Sequence, residues 1–234
     1  MAEKHTPYFN FLDALKEPGC PVCFLLRKNI QKFMDDFLYE SVNDPGLRKE
    51  IKDSSGFCNR HAWQLQKFGD GFGLGIIYDY LMQFVLEKLK EVNGSGVSIK
   101  TLLTQLDKDE QAKKSCIFCK EEKGGEGRYI SVFLDNFDDS ELKFVYKNSF
   151  GLCLLHLNLA INKCKNKKFA NEIINIESAK FASLIAELKE FLRKHDYRFS
   201  KEKFGKEGDS WIRAIEKLSG KEGIFTMVYK SDVF

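Results

Sequence analysis

Proline is scarce in this chain, so long helices are permitted. Only 4 of its 234 residues are proline, the residue that kinks or ends an α-helix when it falls in the interior. No segment shows sustained alternation of apolar and polar residues, which is the pattern of a half-buried β-strand. We therefore predict an all-α protein, with a core rich in the aromatic packing that 21 phenylalanines can supply.

A strong charge of either sign is also missing. The formal net charge is +3, whereas a nucleic-acid-binding protein needs a concentrated basic face. Apolar runs stay well short of the roughly 20 residues of a transmembrane helix, and residues 1–19 contain no apolar signal-peptide core. The sequence therefore predicts a cytoplasmic protein with no nucleic-acid partner and no membrane partner.

Common catalytic motifs are absent as well. The chain contains no phosphate-binding glycine loop and no His-Glu-x-x-His helix, and we find no Ser-His-Asp arrangement. An enzyme is therefore the less favoured class of function.

Cysteine, by contrast, is present in a repeated pattern. Two Cys-x-x-Cys motifs and two Cys-x-x-His motifs hold six of the seven cysteines and two of the four histidines. Because cytosolic thiols stay reduced, such pairs favour metal ligands over structural disulfides. The predicted ligands are Cys20, Cys23, Cys58, His61, Cys116, Cys119, Cys153 and His156.

These eight residues supply two Cys3His ligand sets. Three sulfurs and one nitrogen form a complete tetrahedral shell for the borderline-soft Zn²⁺ ion, so we predict two structural zinc ions per chain. A filled shell leaves no open position for a metal-bound water, which argues against hydrolysis at the metal. The same ligand types also bind iron–sulfur clusters, so an electron carrier or redox sensor with two clusters is an alternative.

More than the ligands repeats along the chain. Asp44 aligns with Asp139 and Gly56 with Gly151, at the offset of 95 residues that also relates the two Cys-x-x-His motifs. This match predicts a duplicated unit. In each copy the aspartate would cap a short helix that ends near the glycine, which can take a left-handed conformation. We expect a first metal-binding helical repeat over residues 1–95 and a second over residues 96–198, joined by a linker at residues 93–96.

Two ligand pairings are compatible with this duplication. The simpler one places both motifs of one copy on one ion, as expected if each copy once folded around its own site. In the swapped alternative, Cys20 and Cys23 join Cys153 and His156. We predict the local pairing.

Apolar residues at helical spacing predict the longer helices. In the second copy, Ile174, Phe181, Ile185, Leu188 and Leu192 form such a stripe. Residues 199–234 have no counterpart in the first copy and are predicted to form a helical cap packed on the repeats. Its helix would begin at Asp209 or Ser210, carry Trp211 and Leu218, and end at Gly220.

A basic segment near the end of the second copy is a candidate ligand site. His195 and Arg198 could donate hydrogen bonds to an anion or substrate, although a basic helix C-terminus has the same composition. An enzyme that uses this region, with the metals as a scaffold, is a further alternative.

The whole chain resembles a family of uncharacterised prokaryotic proteins that is known as a domain of unknown function. The resemblance rests on Cys-Pro-Val-Cys at 20–23, Asn43, Asp44 and Arg48, Ser-Gly-Phe-Cys-Asn-Arg-His at 55–61, the cysteine pair at 116–119, Gly-Leu-Cys-Leu-Leu-His at 151–156, Lys-His-Asp-Tyr-Arg-Phe at 194–199 and Gly-Asp-Ser-Trp-Ile-Arg-Ala at 208–214. It implies no activity. The leading prediction is therefore a zinc-binding interaction or ligand-binding module, whose partner is an unidentified protein or small molecule.

Overall fold

The prediction of an all-α protein is confirmed. The structure is a computed structural model, and it describes residues 5–54, 56–95, 116–199 and 201–223. Within these residues it contains ten α-helices and no β-strand. The helices are α1 (Thr6–Ala14), α2 (Pro21–Asp36), α3 (Pro45–Asp53), α4 (Asn59–Gln66), α5 (Gly71–Ser95), α6 (Ile117–Asp135), α7 (Ser140–Asn148), α8 (Leu154–Lys163), α9 (Lys167–Lys194) and α10 (Ser210–Ser219). None of these helices is long and apolar enough to cross a bilayer.

Short helical turns complete the described elements. A π-helical turn at Phe37–Ser41 continues α2, and 3₁₀ turns lie at Tyr197–Phe199 and Lys206–Asp209.

Helix α1 is an element that we did not predict. Tyr8, Phe11 and Leu12 on its inner face are buried, and the Phe11 ring stacks on Phe133 at 5.5 Å between centroids. The apolar spacing from Tyr8 to Leu15 carried the helical signal.

The chain divides into two compact units that do not follow the predicted boundaries at residues 95 and 198. Unit 1 consists of Met1–Arg27 and Glu126–Phe234, and unit 2 is Lys28–Gly125. Helices α2 and α6 therefore each begin in one unit and end in the other. Unit 1 combines the start of the first sequence copy with most of the second.

Each unit has an aromatic core, as the phenylalanine content predicts. In unit 1, the Phe133 ring lies 4.9 Å from Tyr146 and 5.3 Å from Phe137, and all three side chains are buried. In unit 2, Phe118 packs against Phe57 at 5.3 Å and against Phe37 at 5.8 Å. The buried ligand cysteines belong to these cores.

The matched caps of the duplicated segments are confirmed. The Asp44 carboxylate accepts a hydrogen bond from the Leu47 amide at 2.7 Å, and Asp139 accepts one from Leu142 at 3.0 Å. These bonds satisfy amides that have no partner in the first turn of a helix. The helices they begin, α3 and α7, each have nine residues.

The linker predicted at residues 93–96 is not found as such in the described part of the chain. Helix α5 continues to Ser95, while Gly96 lies outside the described residues. Asn and Gly are common at the C-terminal end of a helix, where the last carbonyl groups have no partner within the helix.

The predicted apolar stripe of α9 does not coincide with the buried face of the helix. Ile174, Ile185 and Leu192 are exposed, whereas the buried positions of this helix include Ile173 and Glu177. Because a glutamate occupies one of the buried positions, the spacing of apolar residues does not identify the inner face of this helix.

The predicted C-terminal helix is confirmed as α10, and Gly220 ends it with a φ of +79°. Its orientation differs from that of an ordinary docked amphipathic helix. Trp211 and Leu218 are exposed, while Ser210 and Lys217 are buried. The remainder of the predicted cap, residues 224–234, lies outside the described residues.

Candidate metal centres

All four ligand motifs begin a helix in the same way. The first cysteine is the N-cap residue, and the second ligand is the third residue of the helix. The carbonyls of Cys20, Cys58, Cys116 and Cys153 accept the first helical hydrogen bonds, at 2.8–3.0 Å, from the amides of Phe24, Ala62, Lys120 and Leu157. Side chains three residues apart point to the same side of a helix. The positive end of the helix dipole also favours thiolates over thiols.

The first cluster lies in unit 1 and consists of Cys20, Cys23, Cys153 and His156. Its ligand atoms are close together: His156 Nδ1 lies 3.2 Å from Cys153 Sγ and 3.4 Å from the sulfurs of both Cys20 and Cys23. The Sγ atoms of Cys23 and Cys153 are 3.9 Å apart. All four residues are buried.

The second cluster lies in unit 2 and consists of Cys58, His61, Cys116 and Cys119. His61 Nδ1 lies 3.2 Å from Cys58 Sγ, 3.6 Å from Cys116 Sγ and 3.3 Å from Cys119 Sγ. The Sγ atoms of Cys58 and Cys119 are 3.6 Å apart. Three ligands are buried, and Cys119 is partly exposed.

One ion can contact all the ligands of either cluster, because the four ligand atoms lie within 4.8 Å of one another. The sulfurs are too far apart for disulfides, whose S–S bond is about 2.05 Å, and the ligand cysteines are free. The eight predicted ligands therefore form two groups that can hold metal ions.

The predicted local pairing of these ligands is wrong. Each cluster combines the Cys-x-x-Cys motif of one copy with the Cys-x-x-His motif of the other. Helix length supplies a reason: α2, with 16 residues, carries the chain about 24 Å away from Cys20. Helix α3, with nine residues, spans only about 14 Å, which is too short to bring the chain back over the length of α2. The same mismatch separates α6 from α7.

A carboxylate faces the second nitrogen of each histidine ligand. His156 Nε2 lies 3.2 Å from Glu126 Oε1, and His61 Nε2 lies 3.4 Å from Glu122 Oε1. Such a carboxylate fixes the tautomer that presents Nδ1 to a metal and makes the imidazole a better donor. Both glutamates belong to α6, one helical turn apart, a signal that we did not use in the sequence.

The second cluster has an additional charged neighbour. Arg60 forms an ion pair with Glu122 through both terminal guanidinium nitrogens. Burial disfavours the charged form of Arg60, but its hydrogen bonds to Glu122 and the nearby sulfurs of Cys119 and Cys58 raise its pKa. The guanidinium thus offsets part of the negative charge that three thiolates bring.

Three sulfurs this close together cannot all be negative unless protons or a cation lie among them. In the second cluster, hydrogen bonds from Cys119 and Cys58 lower the pKa of Cys116 to about 3. The pKa of Cys119 is raised by its hydrogen bonds to Cys116 and Cys58. A divalent cation would replace these shared protons, which is the usual exchange when a metal binds thiols.

The pKa values of the first cluster are shifted by the same kind of hydrogen bonds. Burial disfavours its charged form, yet hydrogen bonds to Cys153 and Cys20 raise the pKa of His156 to about 11. The pKa of Cys153 is lowered by hydrogen bonds from Cys20 and Cys23. Both shifts indicate surroundings that favour negative sulfur and a nearby positive charge.

The seventh cysteine is not part of either cluster. Cys164 follows α8, is partly exposed, and its Sγ lies 3.3 Å from the Asn166 carbonyl oxygen.

His195 and Arg198 lie at the exposed end of α9. Arg198 is bound to the Asp196 carboxylate through Nε and a terminal nitrogen, at 2.6–3.1 Å. His195 Nδ1 lies 2.9 Å from the Phe191 carbonyl oxygen. Neither residue lines the two large surface cavities of unit 1, of about 760 and 800 Å³. The anion site proposed for this pair stays a prediction.

Comparison with known proteins places the chain among uncharacterised relatives. Residues 9–223 match a family described as "Family of unknown function (DUF6062)". The chain belongs to DUF6062. The resemblance predicted from the motifs is thereby confirmed.

One curated protein has a similar sequence. It is the "Uncharacterized 23.9 kDa protein in xynA 3'region" of Caldicellulosiruptor sp. (strain Rt8B.4), which is 31% identical over 221 residues. The alignment covers 90% of the present chain and the whole of that protein. No solved structure matches the chain.

Proposed function

We propose that this DUF6062 protein binds two zinc ions and that both ions are structural. The ligand geometry carries the proposal. Bonds of about 2.3 Å to sulfur and about 2.1 Å to nitrogen in a tetrahedral zinc site separate two sulfurs by about 3.8 Å and a sulfur from a nitrogen by about 3.6 Å. The Cys23–Cys153 and Cys58–Cys119 sulfurs are 3.9 Å and 3.6 Å apart, the sulfur–nitrogen distances are 3.2–3.6 Å, and all four ligand atoms of each cluster lie within 4.8 Å of one another.

The same geometry disfavours the iron–sulfur alternative. A cluster distributes its protein ligands over several iron atoms, so the ligand atoms must be spread more widely than around one ion. The four atoms of each site lie within 4.8 Å of one another, which suits a single ion.

The burial of the ligands supports a structural role over a catalytic one. A catalytic zinc keeps one coordination position for water or substrate, whereas four protein ligands fill the tetrahedron. Zinc here would supply bonds that join the N-termini of two helices at each site. Much of its binding energy would therefore appear as folding energy.

On this proposal the chain is an interaction or ligand-binding module whose helices are held in place by the metals. Its partner would be a protein or a small molecule. We favour this class over an enzyme because Arg198, the cation proposed for substrate binding, is already paired with Asp196.

Elemental analysis of protein purified without oxygen tests the proposal, together with its visible spectrum. We expect about two zinc ions per chain and no absorption in the visible range. Replacing zinc with Co²⁺ should produce the intense colour of tetrahedral thiolate coordination. A brown protein that contains iron and inorganic sulfide would contradict the proposal, as would a protein that folds normally with no metal.

A further inference from the structure

The loop that leads into the first cluster is held by side chains from elsewhere in unit 1. This loop, Ser149–Leu152, precedes the ligand Cys153. Glu177 of α9 accepts hydrogen bonds from the Leu152 amide, at 2.8 Å, and from the Tyr146 hydroxyl. Glu177 is 1% exposed and Tyr146 is fully buried, so water does not compete for these bonds.

A lysine from the C-terminal helix completes this network. Lys217 of α10 is 2% exposed, and its Nζ lies 2.6 Å from Glu177 Oε2 and 3.0 Å from the Phe150 carbonyl oxygen. The aromatic rings of Phe150 and Phe181 lie 4.7 Å and 5.1 Å from the same nitrogen. Burying this pair explains why α10 turns a charged side chain inward while its apolar side chains face solvent.

Two more features fix the conformation of the loop. Lys180 donates hydrogen bonds to the carbonyl oxygens of Ser149 and, at 2.9 Å, of Lys147. Gly151 has a φ of +80°, and a Cβ atom added there would collide with the Glu177 carboxylate. The carboxylate therefore occupies the space that only glycine leaves open.

Among the described residues of unit 2, the equivalent loop contacts no such network of buried charged side chains. The Ser54 hydroxyl donates to the carbonyl of Ile51 or Gly56, each at 3.0 Å. The Gly56 amide donates to Ile51 at 2.7 Å. A Cβ atom added at Gly56 would meet Leu81, at 3.3 Å, in place of a carboxylate. The Glu177 network is therefore a special feature of the first cluster and not a requirement of the repeated fold.

We propose that Glu177 and Lys217 are positioning residues of the first metal centre. Together they hold Ser149–Leu152 so that Cys153 presents its thiolate to the ion, and they make α10 an integral part of that centre. This inference rests on the proposed metal-binding function. It assigns a role to the C-terminal segment, which has no counterpart in the first sequence copy.

The test is a chelator challenge of the full-length, zinc-loaded protein that is read separately at each cysteine. A zinc chelator and N-ethylmaleimide are added together, and mass spectrometry follows alkylation of every cysteine over time. We expect Lys217→Met to accelerate alkylation of Cys20, Cys23 and Cys153 by about 10-fold to 100-fold, the range typical when outer partners of a metal site are removed. The cysteines of the second cluster should keep their wild-type rates.

Lys221→Met is the matched control. Lys221 lies four residues further along and pairs with Glu216, but it is 32% exposed and makes no contact with Glu177 among the described interactions. Its alkylation rates should equal those of the wild type. Lys217→Arg keeps the charge and should restore most of the protection.

A milder variant keeps the test decisive if Lys217→Met does not fold. Tyr146→Phe removes one hydrogen bond to Glu177 and leaves the ion pair intact, so it should accelerate only the first-cluster cysteines, by less than Lys217→Met. Equal acceleration in both clusters, or equal effects of Lys217→Met and Lys221→Met, would overturn the inference. Wild-type protein that binds fewer than two zinc ions would instead contradict the proposed function.

Discussion

Units 1 and 2 each contain the same four ligand types that could hold a metal ion, but the residues that support these ligands differ. Behind the first cluster, a buried carboxylate, a lysine and a tyrosine hydroxyl hold the loop before Cys153. In unit 2 the aligned position of Tyr146 is Ile51, and Leu81 occupies the place of Glu177. The metal-binding motif therefore does not require the polar network.

Next to the ligand histidine, it is the second cluster that has a charged support. Arg60, one residue before His61, is paired with Glu122 in unit 2. The aligned residue in unit 1 is Leu155, which is exposed. Among the described residues, each cluster thus has one charged support with no counterpart in the other, and the two supports come from different elements of the repeat.

Removal of a ligand should give the largest effect. Cys153→Ala should cost one zinc ion and lower the free energy of unfolding by about 4 kcal/mol or more, because structural zinc contributes folding energy directly. Cys164→Ala is the matched control and should change the stability by no more than about 0.5 kcal/mol. Denaturant titration and metal analysis measure both. Equal stabilities of the two variants would refute a structural ion in unit 1.

Breaking the ion pair behind the first cluster should rank next. Lys217→Met leaves the Glu177 carboxylate buried without its cation and should destabilise the protein by about 3–5 kcal/mol. The double variant Glu177→Leu/Lys217→Met imitates Leu81 of unit 2 and should lose less than the single variant. Denaturant titration of both variants measures the difference. A double variant less stable than Lys217→Met would show that the apolar packing of unit 2 cannot replace the ion pair of unit 1.

The sequence was a good guide to the ligands and to the local structure around them. Asp44 and Asp139 predicted the two matching helix starts, and Gly56 and Gly151 predicted the turns with positive φ that end the repeated segment. These signals are local, because a cap or a left-handed turn depends on a few neighbouring residues.

The pairing of the ligands could not be predicted in the same way. Cys23 is 35 residues from Cys58 in sequence but joins Cys153, 130 residues away. Closing the longer loop costs only about 1 kcal/mol more chain entropy, which helix packing easily offsets. Distance along the chain is therefore a weak guide to which motifs meet.

Polar residues in the core were the second source of error. Glu177 lies at an inner position of α9, and Lys217 lies at an inner position of α10. Apolar spacing alone therefore assigned α9 the wrong face and gave no reason to expect α10 to face outward with Trp211. Charged residues enter a core only when they are paired, and a pair distant in sequence leaves no periodic signal.

Loss of the support next to His61 should have a moderate effect on metal binding. Arg60→Leu imitates Leu155 and frees Glu122 from its ion pair. We expect the zinc affinity of the second cluster to fall by about 10-fold, with no change at the first cluster. Lys67→Leu, at the other end of α4, is the control. Competition with a coloured chelator measures the zinc affinity of both variants. An unchanged affinity in Arg60→Leu would show that Arg60 does not support the second cluster.

The smallest expected difference concerns the accessibility of the ligand sulfurs. Cys119 is partly exposed, whereas Cys23 is 1% exposed. Since alkylation requires an accessible thiolate, Cys119 should react first among the ligands of the zinc-loaded wild-type protein. Mass spectrometry at short reaction times measures the order. Reaction at Cys23 before Cys119 would contradict the greater accessibility of the Cys119 sulfur.

Zinc content of two double variants tests the crossed pairing most directly. Cys58→Ala/Cys119→Ala removes two ligands of one cluster, and Cys20→Ala/Cys58→Ala removes one ligand from each. We predict that the first variant retains about one zinc ion per chain and that the second retains none tightly. The reverse result, one ion in Cys20→Ala/Cys58→Ala and none in Cys58→Ala/Cys119→Ala, would contradict the crossed arrangement and restore the local pairing.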